Sequence, residues 1–444
     1  MKLWDKGQST RASVEQFTVG RDREFDARLA RFDVVGSIAH AMMLQECGLV
    51  SEDEGAVLVR ELRVIAREIE DGRFHIAETA EDVHSHVEDL LTQRCGEVGK
   101  KVHTARSRND QVLVDMKMYL RAELASVRTE TAALVGLLLE LAERYAHVPL
   151  PGYTHFQIAM PSSFGLWFSA YAESLIDDLE SVVAAYHVVN KNPLGSAAGY
   201  GSSFPIRRAR TTELLGFAEM NVSSVYAQMT RGKSERVSAS ALANIAATLS
   251  RMAYDVCLYS SQNFGFVALP TDATTGSSLM PHKNNPDVFE LIRAKGNRLQ
   301  AVPTDIMMVT GNLPSGYHRD VQIVKEMIMP AFDELHSLLA MCREMLPVLK
   351  INEAILDDDR YTLLSSVDAV HAKVREGMSF RDAYREVGQS IARGEFTAAA
   401  AHEHTHEGSI GNLRTDIIRR QLERVMAKVD DGVVRAAEAM LAGT

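Results

Sequence analysis

The chain has no pair of cysteines spaced as CxxC. Cys47, Cys95, Cys257 and Cys342 stand far apart, which argues against a zinc ribbon or a redox dithiol. Reduced thiols in a cytoplasmic protein are the simple expectation. Long apolar runs are also missing. The densest, Ala132 to Leu139, ends at Glu140, well short of the roughly 20 residues that a membrane-spanning helix needs. The opening Met1-Lys2-Leu3-Trp4-Asp5-Lys6 continues polar, so no signal peptide is expected. Positive charge is scarce, with a formal net charge of −11. Sites for anions must then be local, built from a few placed Lys, Arg and Asn. Nucleic acid is disfavoured as a main partner.

Alternating strand patterns are scarce too, and helical spacing dominates. Between Asp110 and His147 there is no proline, and Gly136 is the only glycine. Val112, Met116, Tyr119, Leu120 and Leu124 recur there at helical intervals. Similar stretches run from about Ser163 to Val189, Ser234 to Ser260, Pro286 to Thr310 (interrupted by Pro303) and Asp320 to Leu346, with Pro330 as an expected kink. Five long helices cannot each bury an apolar stripe alone, so a bundle follows. The pattern predicts an all-α protein of 444 residues in three parts: an N-terminal helical domain over 1–105, a central five-helix bundle over 106–356 and a small helical domain over 357–444. The stripes are broad and rich in Ala, Leu and Met, which points to bundles packing against one another between subunits.

Loops rich in glycine, serine and proline separate the long helices, and loops on rigid scaffolds are where chemistry tends to sit. The most informative reads Gly276-Ser277-Ser278-Leu279-Met280-Pro281-His282-Lys283-Asn284-Asn285-Pro286, with Glu290 just beyond. Lys283 offers charge, Asn285 an amide, and the helix start after Pro286 offers backbone N–H groups. Together these suit a carboxylate. A single Gly-Ser-Ser with a surface lysine would mean little; the eleven-residue pattern is far more specific.

This pattern resembles the signature of the fumarase/aspartase superfamily, whose members release fumarate. Within it, His103-Thr104-Ala105-Arg106-Ser107-Arg108-Asn109-Asp110-Gln111 and Pro151-Gly152-Tyr153-Thr154-His155-Phe156-Gln157 are similar to two further signature regions of the argininosuccinate lyase family. Glu81-Asp82-Val83-His84, Pro193-Leu194-Gly195-Ser196 and the run from Tyr317 to Lys325 also resemble that family, in its order along the chain. Three segments depart from it. Ile158-Ala159-Met160-Pro161 stands for Arg-Ala-Gln-Pro, and Pro281-His282-Lys283-Asn284-Asn285 for Pro-Gln-Lys-Lys-Asn. Thr18-Val19-Gly20-Arg21-Asp22 replaces Asn-Ala-Ser-Ile, which leaves the N-terminal contacts to the arginine half unassigned.

The resemblance implies a carbon–nitrogen lyase that splits argininosuccinate into arginine and fumarate, without a metal or organic cofactor. It implies Ser277 as general base, with Lys283 and Asn285 around the carboxylate that becomes a dianion. It implies His155, paired with Glu290, as proton donor or as the group that orients and charges the site. Ser107, Arg108, Asn109 and Thr154 are implied substrate contacts, as are Tyr317, Gln322, Lys325 and His84. It also implies a homotetramer in which each site draws its three regions from three subunits. Alternatives are another fumarate-releasing lyase of the superfamily (adenylosuccinate lyase, aspartase or fumarase), disfavoured by the segment from His103 to Gln111, and a non-enzymatic crystallin-like protein, disfavoured by intact Ser277, His155 and Lys283.

Two other patterns carry less. Ala227 to Ser234 nearly matches a phosphate loop, but alanine replaces its first glycine and no strand pattern precedes it. Ser234 is expected instead to cap the following helix. His402, His404 and His406 alternate with Glu403 and Glu407; a solvated loop is the ordinary reading of such a run, and a metal site the other.

Overall fold

A computed structural model describes residues 11–77, 79–276, 278–398 and 404–443. Ser277 and His402 lie outside the described residues. The first part holds α1 (Ala12–Val19), α2 (Asp22–Glu46), α3 (Glu52–Glu70), α4 (Val83–Cys95) and the single turn α5 (Glu97–Lys100). The bundle rods are α6 (Arg108–Arg144), α7 (Phe164–Val189), α10 (Lys233–Tyr259), the broken pair α11 (Asp287–Leu299) and α12 (Val302–Thr310), and α13 (Val324–Met345). Short α8 (Arg208–Leu214) and α9 (Ser224–Met229) fill the α7–α10 connection. The chain ends with α14 (Ser366–Arg375), α15 (Phe380–Ala392), α16 (Thr415–Met426) and α17 (Gly432–Ala442). The rods thus appear where the helical spacing put them.

Their ends are set locally. Ser107 caps α6: its hydroxyl accepts the Asn109 N–H, and Asp110 accepts the Ser107 N–H at 2.9 Å. Ser163 caps α7 by accepting the Leu166 N–H at 3.1 Å. The expectation for Ser234 is corrected. Helix α10 starts two residues earlier, after Gly232 at φ +81°, whose N–H is accepted by Glu235 at 2.7 Å. Gly232 wins because its backbone conformation is one that a side chain rarely tolerates, and the chain turns there against Thr310. Ser234 is buried inside the helix.

The rods alternate in direction. The Gly165 N–H donates to the Tyr145 carbonyl, so α7 doubles back on α6. A Cβ at Gly165 would lie 2.6 Å from both the Ala142 oxygen and the Ala146 Cα, so only glycine allows this approach. Trp167 and Tyr171 near the start of α7 both donate to Asp255 near the end of α10, at 3.0 and 2.6 Å. Ser250 donates to Asn297 of α11, Glu334 of α13 takes Lys295 of α11, and His336 of α13 bridges Glu123 and Glu130 of α6 at 2.9 Å each. One continuous apolar core joins α2, α3, α4 and the rods. The C-terminal helices return along the bundle. Buried Arg121 of α6 meets Glu438 of α17 at 2.9 Å, and Arg128 donates to the Val429 carbonyl.

The few strands form four two-stranded pairs: β1 (Pro149–Thr154) with β2 (Gln157–Ser163), β3 (Lys191–Asn192) with β4 (Glu219–Met220), β5 (Val267–Ala268) with β8 (Lys350–Ile351), and β6 (Thr275–Gly276) with β7 (Asn284–Asn285). Two of these pairs carry residues of the signature loops. No described helix is long and apolar enough to cross a membrane.

Candidate active site

Arg108 and Asn109 open α6, so their side chains project at one end of the bundle. There α2, α4, the segment before α13 and the turn before α10 converge on a cavity of ≈ 240 Å³. Six of the residues singled out from the sequence line it: His84, Arg108, Asn109, Tyr317, Gln322 and Lys325. They come from segments more than two hundred residues apart and meet because α13 begins beside the start of α6.

The cavity mixes charges of both signs and pairs most of them. Arg108 lies 3.1 Å from Glu81 and 3.2 Å from Asp82. Lys325, 2 % exposed, sits 2.5 Å from both Asp22 and Asp26. Gln322 donates to the Thr18 carbonyl at 2.9 Å, tying the α13 approach to the N-terminal segment. His84 is held from behind by Asp33 at 2.8 Å, with Asp115 at 3.6 Å. Burial opposes a charge on this imidazole, but Asp33, then Asp115 and Asp82, outweigh it and push it up to about 10. Burial also opposes charge on Asp82, and the positive charges of His84 and Arg108 overcome it, holding the carboxyl below its ordinary range. A cavity with fixed charges of both signs suits a small molecule that carries both.

Ser107 does not line this cavity; its hydroxyl is engaged as the α6 cap. The cavity also holds residues to which the sequence reading gave no role: Asp22, Asp26, Arg231 and Arg319. The only signal for Asp22 was its place in the segment that departs from the family pattern. Arg231 stood inside a near-match to a phosphate loop, and its actual partner is Glu235, at 3.0 Å.

The other signature residues lie elsewhere. His155 and Phe156 form the two-residue turn of the β1–β2 hairpin, closed by the Thr154–Gln157 pair. Both have positive φ, 53° and 58°, the backbone twist that two-residue hairpin turns favour. Non-glycine residues adopt it at a cost, and here it leaves Thr154 and His155 exposed. Tyr153 anchors the hairpin, with its ring 5.4 Å from that of Phe264.

Lys283, Asn285 and Glu290 belong to a third locus. The β6–β7 ladder pairs Thr275 with Asn285 and Gly276 with Asn284, with Lys283 just before the second strand. Asn285 reaches Thr275 at 3.4 Å, and the Thr275 hydroxyl donates to Asp287. Lys283 and Glu290 are exposed, Glu290 in the first turn of α11. Among the described residues, no hydrogen bond or salt bridge joins His155 to Lys283 or Glu290, or any of them to the cavity.

A lyase family model matches residues 7–301. The chain is 54% identical to the argininosuccinate lyase of Bacteroides thetaiotaomicron over 442 residues, covering 100% of this chain and 99% of that one. It is 40% identical to that of Stenotrophomonas maltophilia over 429 residues, covering 94% and 97%. The chain belongs to the argininosuccinate lyase family, within the fumarase/aspartase superfamily. Solved structures share the fold. An EDDS lyase in complex with formate superposes with a TM-score of 0.75 at 20% identity, over 98% of this chain and 95% of that one. A fumarate lyase of Brucella melitensis does so at 0.70 and 17%, over 92% of each chain.

Proposed function

We propose that this protein cleaves argininosuccinate to L-arginine and fumarate by β-elimination, the step that completes arginine synthesis. The observation that carries this reading is full-length identity of 54% to an argininosuccinate lyase, with the signature regions in order. The test is direct. Argininosuccinate added to purified protein should raise the absorbance of fumarate, while adenylosuccinate, aspartate and malate should not. No fumarate from argininosuccinate, or faster release from another substrate, would sink it.

The chemistry assigns roles. Removing a proton next to a carboxylate produces a dianion, so concentrated positive charge and N–H donors must surround it. Lys283, Asn285 and the N–H groups opening α11 meet that need. Ser277 removes the proton. A serine hydroxyl is a weak base in water, and closure of its loop over the substrate would exclude water and set its oxygen near Lys283. His155, paired with Glu290 in the assembled site, protonates the leaving guanidinium nitrogen directly or through water. Thr154, Arg108, Asn109, His84, Tyr317, Gln322 and Lys325 hold the substrate, and Ser107 sets Arg108 and Asn109 in place by capping α6.

These roles require the three regions to meet, and one chain keeps them apart. Helix α6 has 37 residues, about 55 Å at 1.5 Å per residue. Arg108 stands at its start, and the His155 hairpin follows its end. We infer a homotetramer whose bundles pack together, so that a cavity on one subunit receives the hairpin and the Ser277 loop of others. Exposed Leu291, Met307 and Met308 on α11 and α12 support this, since large apolar side chains on a bundle face favour contact with another copy.

A further inference from the structure

We propose that the groove between α2 and α3 is a binding site for a nucleoside polyphosphate, with its phosphates on Arg60, Arg63 and Arg67 and its base on Met42, Ala56 and Val59. The groove shares no lining residue with the cavity at the start of α6.

The groove measures ≈ 420 Å³, within the range of small-molecule sites. Its three arginines share one face of α3, because residues three, four and seven apart lie on the same side of a helix. Arg60 and Arg67 stand about 10 Å apart along the axis at 1.5 Å per residue. In a chain of net charge −11, such a concentration of cations asks for a reason. Their charge is left largely uncompensated. Arg60 takes only Glu61, its neighbour in sequence, at 3.1 Å. Among the described residues no carboxylate pairs with Arg63 or Arg67, and no hydrogen bond occupies the Arg67 side chain. Gln45 faces them from α2, where an acid would neutralise the wall. Arg63 is fixed in advance: its Nε and Nη2 donate to the Leu441 and Met440 carbonyls at the end of α17, at 3.0 and 3.1 Å.

The donors select the ligand. A guanidinium presents paired, planar N–H groups that match two oxygens of one phosphate. Three of them spread over two turns suit a chain of phosphates better than a single carboxylate. Like charges on one helix face repel, and a polyanion lying between them turns that repulsion into attraction. The floor beneath the arginines is apolar. Met42 and Val59 are half-buried against the core, and Ala56 is exposed beside them. A flat base covers such a floor and removes it from water. Phosphates and base thus each find a matching part of one groove.

The experiment is calorimetry on the full-length protein with two probes, ATP and inorganic tripolyphosphate, both free of magnesium. Both should bind. ATP should bind at least about threefold more tightly, the effect of burying roughly one CH₂ group on the floor. Arg60→Ala combined with Arg67→Ala should weaken both probes by at least about tenfold. Neither probe should then raise the thermal midpoint of the variant as it does that of the wild type. Turnover of argininosuccinate by the ligand-free variant should be unchanged. No binding of either probe at millimolar concentration would overturn the proposal. Undiminished binding by the variant would overturn it as well, because the anions would then sit elsewhere, such as in the charged cavity. Equal binding of the two probes by the wild type would overturn the nucleoside assignment, since the base would not touch the floor. Should the double variant fold poorly, Arg67→Ala alone decides, because that side chain has no partner to lose; it should weaken ATP at least about threefold, and no weakening would overturn the proposal.

Discussion

His84 Nδ1 stands 2.8 Å from Asp33 Oδ1, with both side chains shut off from solvent. The pair places a cation against the wall of the cavity and has a consequence for stability. The imidazole rises from 6.5 to about 10 on folding. A group whose folded value is raised contributes stability that is fully present below its unfolded value and lost as pH climbs through its folded value. His84 therefore stabilises most below about pH 6.5 and progressively less toward pH 10. The gap in denaturation midpoint between the wild type and His84→Gln should narrow across that window. A constant gap would mean that the charge on His84 contributes nothing.

Ser277→Ala should abolish turnover and leave substrate binding largely intact, because the neighbouring Gly276–Asn284 pair is made by backbone groups that the substitution leaves in place. Retention of more than about a tenth of the activity, a cost near 1.4 kcal/mol, would rule Ser277 out as the base.

Shared sites make a counting prediction. Inactive Ser277→Ala and His155→Asn chains, unfolded together and refolded, should regenerate activity if the two residues of a site come from different subunits. Each site has one chance in two of an intact Ser277 and one in two of an intact His155. About a quarter of wild-type activity should return in a randomly mixed symmetric oligomer. Mixed tetramers that stay inactive would put both residues of a site on one chain.

Chelators should leave activity unchanged. Among the described residues, Asp33, His84 and Asp115 form the one group placed to share a metal ion. There the imidazole is already protonated beside Asp33, and a protonated ring nitrogen cannot ligate. Loss of activity in chelator, restored by an added metal, would assign that trio or the run around His404 and His406 a metal role.

Much of the fold was legible because long helices write themselves locally. The spacing of Val112, Met116 and Leu120, with few glycines or prolines, sufficed to mark α6. The stretch expected from about Ser163 does begin there, since its hydroxyl needs only the Leu166 N–H; the Ser107 cap of α6 lay in a segment read for substrate contacts, with the helix expected from Asp110. The hairpin at His155 was not legible, because its strands pair across a turn whose two residues are not the usual Asn or Gly. The true start of α10 at Gly232 was hidden by a plausible serine two residues on; the contact with Thr310 chose between them.

The sequence alone determined the chemistry on offer: a Gly-Ser-Ser loop with Lys283, a histidine in a Tyr-Thr-His context, and an Arg-Asn pair opening a helix. Those are short-range patterns, fixed by neighbours along the chain. Only the tertiary structure decided which of them share a space. It joined Arg108, His84 and Lys325 in one cavity, with Asp22 and Asp26 on its wall. It left His155 and Lys283 on other parts of the chain, because a rigid 37-residue helix sets how far apart its two ends must be.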